Sequence, residues 1–258
     1  MIKIISIVMT AALLLGCQDD PNDHPNSQMA CFVRTQPINH SHCAFDPALL
    51  HSSLKLYWKQ DNQPLYTFAN LENYLLGQTP KRTLSFAMNA GMYNQDFAPI
   101  GYTVIDGKQV LSLNLKQGAG NFHLLPNGVF WWDKTGFYID TSANMAKKLR
   151  AGTRPSYATQ SGPMLVIDGN IHPKFDPNST SVNIRNGVGA DCQDGKIHFV
   201  ISDTPVNFYQ FAAVFSSSLQ CRNALFLDGG IASALYAPTI QRHDKLNMAL
   251  MLAVSTTN

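Results

Sequence analysis

One stretch constrains this chain more than any other, the run Asn-Ala-Leu-Phe-Leu-Asp-Gly-Gly from Asn223 to Gly230. A short apolar run between turn residues is typical of a strand that is buried on both faces. Such a strand can carry Asp228 to the rim of a cleft, where the paired glycines let backbone or ligand approach closely. Asp228 is therefore either the turn residue of a hairpin or a working carboxylate.

The N-terminal segment has the composition of an export signal. Lys3 supplies a positive charge, and the apolar run from Ile4 to Leu15 is too short to span a membrane as a helix. The run ends in Leu-Leu-Gly-Cys, which resembles a bacterial lipobox and implies cleavage before Cys17 and lipidation of that residue. Gln18 in place of Asp implies sorting to the outer membrane, facing the periplasm. A plain secretory signal with a chance cysteine is the alternative; both interpretations predict export.

The rest of the chain is expected to be one tethered domain. We assign residues 1–16 to the signal peptide and residues 17–30, rich in Asp, Asn and Pro, to a flexible tether. Residues 31–258 then form the domain, since the 45% hydrophobic and 14% charged composition is typical of a globular chain with a sizeable core.

The cysteines predict two disulfides. Of the five cysteines, lipidation of Cys17 leaves four in an oxidising compartment, and three pairings are possible. We favour the most local one, Cys31 with Cys43 and Cys192 with Cys221. A zinc site is the rival interpretation, but the sequence has no C-x-x-C, and the cluster His-Ser-His-Cys that ends at Cys43 has no second half.

Turn signals in the middle of the chain predict antiparallel β-structure. Apolar runs flank Asp106-Gly107, Asn127-Gly128, Asp168-Gly169 and Asp194-Gly195, which are hairpin signals. Helices are predicted over 142–150 and over 208–219, the second with Asn207 as N-cap. Runs at 54–58, 65–68 and 83–88 predict strands, and 248–254 predicts a closing strand. The fold class is therefore α+β, a single domain dominated by antiparallel or mixed β-sheet with a few helices.

Several classes of function are excluded by charge and by missing motifs. A net charge of +2 is too small for a nucleic-acid partner. The signatures H-E-x-x-H, G-x-S-x-G, the P-loop and G-x-G-x-x-G do not occur. We predict no cofactor and no metal site, although the need for a divalent ion stays open.

Elimination among the carboxylates leaves two candidates. Of the 17 Asp and Glu residues, only Glu72 is a glutamate, and it is expected on a solvated helix surface. Most aspartates lie in the tether, in turns or before prolines. Asp203 and Asp228 instead follow buried strands, and a pair of carboxylates is what a glycoside hydrolase uses. Arg185 adds a cation suited to bidentate phosphate binding, with a structural salt bridge as its alternative role.

Seven motifs then occur together and in order between Thr83 and Tyr236. They are Asn89-Ala90-Gly91-Met92-Tyr93, Pro99-x-Gly101, Gly120-Asn121-Phe122 with Pro126-Asn127-Gly128-Val129-Phe130, Gln160-Ser161-Gly162-Pro163, Arg185-Asn186-Gly187-Val188-Gly189, Ile201-Ser202-Asp203, and Asn223 to Gly230. Each motif alone is weak, but the ordered set resembles the phosphodiester glycosidase family, in particular its short bacterial members.

The resemblance implies an active-site cavity at the strand ends. Its catalytic centre would be Arg185, Asp203 and Asp228. The residues implied to line the cavity are Asn89, Gly91, Ser161, Gly229 and Gly230. The implied reaction is hydrolysis of the sugar C1–O bond of a glycosyl phosphodiester, for example a GlcNAc-1-phosphodiester, so the expected partner is a glycosyl-phosphate small molecule or an envelope glycan.

Two rival functions stay open at this point. The first is a non-catalytic, glycan-binding envelope lipoprotein, for which Tyr93, Tyr102 and the pair Trp131-Trp132 would be aromatic platforms. Because neighbours on a strand point oppositely, one of the two tryptophans is expected in the core and the other in solvent. The second rival is a phosphodiesterase that cleaves the P–O bond instead of the C–O bond.

Overall fold

The structure is a computed structural model that describes residues 29–229, 232–242 and 244–257. The predicted signal peptide, the lipidation site Cys17 and the predicted tether up to residue 28 lie outside these ranges, as does Gly230. Within the described ranges, no helix is long and apolar enough to cross a membrane.

Helices are few and short among the described residues. They are α1 (Pro47–Leu50), α2 (Phe68–Leu76), α3 (Ser142–Arg150) and α4 (Phe208–Ala213), with a 3₁₀ turn over Asn121–His123 and a π-helical turn over Val214–Ser218 that continues α4.

Strands make up most of the regular structure. They are β1 (Met29–Arg34), β2 (His40–Phe45), β3 (Leu54–Tyr57), β4 (Lys59–Gln60), β5 (Gln63–Pro64), β6 (Arg82–Asn89), β7 (Thr103–Ile105), β8 (Lys108–Leu111), β9 (Gly128–Asp133), β10 (Gly136–Thr141), β11 (Tyr157–Ser161), β12 (Met164–Ile167), β13 (Asn170–Ile171), β14 (Asn186–Ala190), β15 (Ile197–Ser202), β16 (Asn223–Phe226), β17 (Leu235–Ala237), β18 (Ile240–Arg242) and β19 (Met251–Thr257).

Three antiparallel sheets and one small hairpin contain these strands. The seven-stranded sheet has the order β1-β2-β15-β14-β16-β12-β13. Two five-stranded sheets have the orders β10-β9-β11-β7-β8 and β18-β17-β6-β19-β3, and β4 pairs with β5. Every pairing is antiparallel, so the predicted α+β class with mainly antiparallel sheet is confirmed.

The inner faces of the three sheets enclose one central core. Phe86 of β6, Phe130 of β9 and Phe199 of β15 come from the three different sheets and are fully buried. The ring centroid of Phe199 lies 5.0 Å from that of Phe86 and 6.0 Å from that of Phe130. Strands such as β15 are therefore buried along their whole length, as their apolar runs predict.

Each outer sheet face packs against a helix. Phe211 of α4 belongs to the cluster on the seven-stranded sheet, Leu71 of α2 to the cluster on the β6–β19 sheet, and Met145 of α3 to the cluster on the β9–β11 sheet. The described chain therefore has one central and three peripheral apolar clusters.

Local sequence signals account for the helix boundaries. The side chains of Thr67, Thr141 and Asn207 accept hydrogen bonds from main-chain N–H groups one turn into α2, α3 and α4. The helix predicted over 142–150 is found with those bounds, and Asn207 with Gln210 forms a reciprocal capping box.

Two local predictions are wrong because tertiary contacts or caps compete with pattern. The strand predicted over 65–68 is absent, because Thr67 caps α2 and Phe68 already begins the helix. Asn127-Gly128 is not a hairpin turn: Gly128 begins β9, and the buried amide of Asn127 donates to the carbonyl oxygen of Phe122. The Asp106-Gly107 and Asp168-Gly169 turns, by contrast, have positive φ at both residues, as predicted.

The expectation that one tryptophan faces solvent is also wrong. Trp132 packs in the central core and Trp131 packs beneath α3, so the two do point to opposite faces of β9, but both are buried. The indole of Trp131 stacks on the Tyr138 ring at 4.4 Å and donates to Asp140 Oδ2 at 2.8 Å. Both faces of this sheet are covered, so alternation exposes neither ring.

Both predicted disulfides are present. Cys31 on β1 lies directly opposite Cys43 on β2. Cys192, just after β14, is bonded to Cys221, just before β16. The second bridge therefore ties together the strands that lead to Arg185 and Asp228.

Removing the second bridge is expected to cost more stability than removing the first. The sequence separations are 29 and 12 residues. Loop-closure entropy alone assigns roughly 3.6 kcal/mol to the longer loop and roughly 2.8 kcal/mol to the shorter one. Urea unfolding of Cys192→Ser/Cys221→Ser and of Cys31→Ser/Cys43→Ser measures the difference, and the reverse order of stabilities would contradict the prediction.

Candidate active site

The predicted catalytic residues lie at the ends of three neighbouring strands, on the same side of the seven-stranded sheet along the strand direction. β14 lies between β15 and β16 and runs opposite to both. The main-chain N–H of Ser202 donates to the carbonyl of Arg185 at 2.8 Å, and that of Leu227 donates to the carbonyl of Asn186 at 3.1 Å. Arg185, Asp203 and Asp228 therefore leave neighbouring strands at the same end.

The end of β6 meets this edge from the facing sheet. The main-chain N–H of Asp228 donates to the carbonyl oxygen of Ala90 at 2.8 Å. The next residue, Gly91, donates its N–H to Thr159 Oγ1 on β11 at 3.0 Å. The motifs around Asn89, Ser161 and Asp228, far apart in sequence, are thus adjacent in space.

A buried amide network fixes the backbone at Asp228. Asn89 Nδ2 donates to the main-chain oxygen of Asp228. Asn89 Oδ1 accepts from Asn186 Nδ2 at 3.0 Å and from the N–H of Ala234 at 2.9 Å, and Ser233 Oγ donates to Asn186 Oδ1 at 3.1 Å. The amide of Asn89 is 1% exposed and its bonds are internal. Asn89 therefore holds the backbone of the site in place through internal hydrogen bonds.

The surroundings of Asp228 change the pKa of its carboxyl strongly. Burial raises the pKa of its carboxyl to about 7, although a hydrogen bond from the N–H of Gly229 acts in the opposite direction. The phenol of Tyr93 interacts electrostatically with this carboxyl. Burial, and to a smaller extent the charge of Asp228, raise the pKa of Tyr93 to about 12. A carboxyl that titrates near neutral pH is suited to general acid–base chemistry.

Asp203 has a different setting. Its Oδ1 accepts a hydrogen bond from Ser41 Oγ at 3.0 Å, and its main-chain N–H donates to the carbonyl of Asn39 at 2.8 Å. Its carboxylate also contributes to raising the pKa of the nearby His40, against the larger effect of burial, which lowers it. The two aspartates therefore share a sheet edge but have separate partners.

Arg185 is a buried cation. Its side chain is 1% exposed, and burial lowers its pKa to about 10. Nε donates to the carbonyl of Val206 at 2.8 Å, one Nη donates to the carbonyl of Ser181 at 3.0 Å, and the guanidinium lies 3.6 Å from the centroid of the Phe208 ring. None of the three ion pairs found in ranges 29–229, 232–242 and 244–257 involves Arg185.

The other predicted lining residues are packed tightly. A Cβ on Gly91 would lie 2.4 Å from Thr159 Oγ1, and one on Gly229 would lie 2.4 Å from the ring of Phe226. In both positions glycine is required by neighbouring protein atoms. Ser161 is fully buried at the end of β11, and within the described chain its hydroxyl has no hydrogen-bond partner. An unpaired buried hydroxyl is costly unless a ligand or water satisfies it.

Sequence reasoning did not assign roles to Asn186, Ser233 and Thr159. Asn186 and Thr159 lie inside or beside the quoted motifs, but the motifs give no sign of which side chains turn inward. For Tyr93, the sequence suggests a glycan platform but gives no sign of its closeness to Asp228. No group of three or more His, Cys, Asp or Glu side chains that could hold a metal ion is found in the part of the chain described.

Comparison with known proteins identifies the family. The sequence model of the phosphodiester glycosidase family matches residues 82–254, a range that contains all seven motifs and the three candidate catalytic residues. The chain belongs to the phosphodiester glycosidase family. The resemblance seen in the sequence is thereby confirmed.

Relatives extend across much of the chain. The uncharacterized protein YigE of Escherichia coli (strain K12) is 35% identical over 181 residues, which are 69% of this chain and 68% of that protein. The catalytic domain of zebrafish N-acetylglucosamine-1-phosphodiester alpha-N-acetylglucosaminidase, auto-inhibited by its pro-peptide, matches with a TM-score of 0.60 and 15% identity over 90% of this chain and 85% of that one. A hypothetical protein from Synechocystis matches with a TM-score of 0.53 and 13% identity over 88% of this chain and 61% of that one. At these identities, the structural matches show the shared fold.

The raised pKa of Asp228 predicts a direct titration. The carboxyl carbon of Asp228 in labelled protein is expected to titrate with a midpoint near pH 7, about three units above an ordinary Asp. NMR measures the midpoint, and Asp228→Asn assigns the resonance because it removes it. A midpoint below pH 5 would overturn the assignment of Asp228 as a group that titrates near neutrality.

The same shift predicts a pH dependence of stability. Between about pH 4 and pH 7 the folded state keeps a proton on Asp228 that the unfolded state has lost, so the free energy of unfolding falls as the pH rises. Asp228→Asn is expected to remove this fall. The free energy of unfolding of the variant minus that of wild type should therefore be higher at pH 8 than at pH 4 by roughly 2 kcal/mol, after allowance for solvent screening. Urea unfolding at both pH values measures it, and a constant difference would contradict it.

Proposed function

We propose that this protein hydrolyses the sugar C1–O bond of a glycosyl phosphodiester, such as a GlcNAc-1-phosphodiester, in the cell envelope. The observation that carries the proposal is Asp228, a carboxyl with its pKa raised to about 7 at the convergence of strand ends, inside the range that matches the family. The zebrafish structural neighbour, whose name describes a GlcNAc-1-phosphodiester glycosidase, agrees with this substrate class.

Asp228 would supply the acid–base or nucleophilic step. The C1–O bond breaks with its electrons passing to the phosphate oxygen, while C1 develops oxocarbenium character. In its ionised form, Asp228 can take a proton from the attacking water or itself attack C1. Its pKa near 7 leaves a large fraction ionised at neutral pH. The departing phosphate is a good leaving group, so a strong general acid matters less than in ordinary glycosidases.

Arg185 would bind the phosphate. Its guanidinium is buried against Phe208 and has carbonyl partners but no carboxylate partner among the described residues. A buried charge is costly when it is not compensated, and an anionic ligand would supply the missing countercharge. A guanidinium held in this way can also offset the charge that develops on the leaving phosphate.

Asp203 and Ser161 would complete the site. Ser41 orients the carboxylate of Asp203, which would stabilise the positive charge at C1 or exchange roles with Asp228. The unpaired hydroxyl of Ser161 would bind a sugar hydroxyl. Asn89, whose amide is occupied internally, would act by positioning Asp228.

The location proposed for this activity is the envelope. Two disulfides indicate an oxidising compartment. We further propose that lipidated Cys17 anchors the domain at the outer membrane, facing the periplasm, with residues 17–30 as the tether.

The glycan-binding alternative is weakened by the aromatic residues. Trp131, Trp132 and Tyr102 are 4%, 1% and 2% exposed, so three of the four platforms that this function would use are in the core. Tyr93 is partly exposed but donates its hydroxyl to the carbonyl of Asn247 and stacks on Phe97.

Substitution of Asp228 and Arg185 tests the proposal. With a GlcNAc-1-phosphodiester as substrate, Asp228→Asn is expected to lower kcat by about 100-fold or more, and Arg185→Lys to lower kcat/KM by about 100-fold, because a point charge replaces a rigid fork. Asp191→Asn and Arg150→Lys make the same two changes at exposed positions and are the matched controls. Near-wild-type turnover by folded Asp228→Asn protein would refute the assignment.

Oxygen labelling separates C–O from P–O cleavage. In H₂¹⁸O, cleavage of the C1–O bond places the label in the released sugar, and cleavage of the P–O bond places it in the phosphate. We expect the label in the sugar. Label in the phosphate, especially together with loss of activity in a chelator, would establish the phosphodiesterase alternative.

A further inference from the structure

Two adjoining cavities lie beside α2, away from Asp228 and Arg185. The first, which we call the amide cavity, has a volume of about 510 Å³ and is lined by Gln60, Gln63, Asn70, Asn73, Tyr74 and Gln78 among others. The second, the basic cavity, has a volume of about 390 Å³ and is lined by Lys55, Lys59, Arg82, Lys108, Tyr57 and Trp58 among others. Tyr74 and Gln78 line both, so the two cavities form one continuous surface.

The amide cavity has the chemistry that binds sugar hydroxyls. Each side-chain amide can both donate and accept hydrogen bonds, as a hydroxyl requires. Within the described chain, the amides of Gln60, Gln63 and Asn73 form no hydrogen bond, whereas that of Asn70 donates to the carbonyl of Leu65 at 2.8 Å. Three exposed amides are therefore available to a ligand.

The basic cavity has the charge that binds phosphate. Its four cations face one carboxylate, Asp106, which already accepts a hydrogen bond from Tyr157. None of the four cations takes part in the ion pairs found among the described residues. Arg82 is held rigidly, since Nε donates to Ser255 Oγ at 2.9 Å and one Nη to the carbonyl of Ser255 at 2.7 Å. Lys59 Nζ lies 4.0 Å from the centroid of the Trp58 ring. A fixed guanidinium next to lysines without carboxylate partners in the described chain is a suitable arrangement for an anion.

Aromatic side chains link the two cavities to each other and to Asp228. The rings of Tyr57 and Tyr74 meet edge to face at 6.2 Å between the cavities. Trp58, in the basic cavity, donates its indole N–H to the carbonyl of Phe97 at 2.9 Å, and the Phe97 ring stacks at 5.5 Å on Tyr93. The charge of Asp228 contributes to the raised pKa of Tyr93. The surface beside α2 is therefore connected to the candidate active site through Phe97 and Tyr93.

We propose that the two cavities form an exosite for a glycan that bears phosphate groups, with sugar units in the amide cavity and a phosphate in the basic cavity. This inference rests on the proposed function in one respect. A polymeric glycosyl phosphodiester would bind in the two cavities while another linkage of the same polymer is cleaved at Asp228. The combination of unpaired cations with unpaired amides and aromatic rings favours an anionic sugar polymer over a neutral one.

Binding of a phosphorylated mannan tests the exosite without turnover. The full domain carrying Asp228→Asn is titrated with phosphorylated mannan, with unphosphorylated mannan and with a single-stranded oligo(dT). Of the three ligands, we expect only the phosphorylated mannan to bind, and we expect salt to weaken this binding. Adding Lys59→Gln/Lys108→Gln is expected to weaken it about tenfold, and adding Gln63→Ala/Asn73→Ala several-fold. These four side chains are exposed, so folding should be preserved.

A matched pair of lysines controls for general charge. Lys134→Gln/Lys147→Gln removes the same charge from an exposed turn and from α3, and should leave binding unchanged. Equal losses in both pairs would reduce the effect to nonspecific electrostatics and overturn the exosite. Equal binding of oligo(dT), or of unphosphorylated mannan, would overturn the assigned ligand class.

Turnover measurements separate the exosite from the proposed function. In the otherwise wild-type enzyme, Lys59→Gln/Lys108→Gln should raise KM about tenfold for a polymeric substrate and leave kcat/KM for a small glycosyl phosphodiester unchanged. Turnover of the small substrate without any effect of these lysines on polymer would refute the exosite alone. Specific binding of phosphorylated mannan without turnover of either substrate would refute the proposed function alone.

Discussion

The buried amide of Asn89 is the contact on which the candidate site depends. It lies at the end of β6 in one sheet and bonds to Asn186 at the start of β14 in another, to the main chain of Ala234, and to the main-chain oxygen of Asp228. A buried amide must satisfy its donors and acceptors, since leaving one unpaired costs about 1–3 kcal/mol. One side chain thus links two sheets and holds the backbone of the candidate catalytic residue, together with the hydrogen bond from the N–H of Asp228 to Ala90.

The arrangement of the sheets explains why the chemistry is found at the strand ends. The inner faces of three sheets share a central core, and the outer faces carry α2, α3 and α4. Apolar clusters therefore lie on both sides of each sheet, while polar side chains on strands, such as Lys55 and Lys108, line the basic cavity beside α2. Polar groups can be placed where strands terminate, and there they are removed from water. Burial raises the pKa of Asp228 and lowers that of Arg185. The same desolvation that costs stability gives the site its reactivity.

Predictions from the sequence succeeded where the governing interaction is local. The cap residue Asn207 and the basic last turn of α3 are local signals, and both helices were found where they were predicted. The disulfide partners are the nearest cysteines along the chain. Predictions failed where a distant contact competes. The ring of Trp131 is covered by α3 and by Tyr138, and Asn127 is turned inward to Phe122 and Ser142; a pattern of neighbours along the chain contains neither contact.

By itself the sequence determined the family, the β-rich fold class, the four cysteines available for two disulfides and the presence of a carboxylate after a buried strand, because each depends on the order and type of residues along the chain. The tertiary structure decided what each polar group does. It placed Asn89 behind Asp228, gave Asp203 a partner in Ser41, buried Arg185 against Phe208 and brought the amide and basic cavities together beside α2. A pKa, a hydrogen-bond partner or a cavity depends on groups that are close in space. In these sheets many neighbouring strands are far apart in sequence, so those groups come from distant parts of the chain.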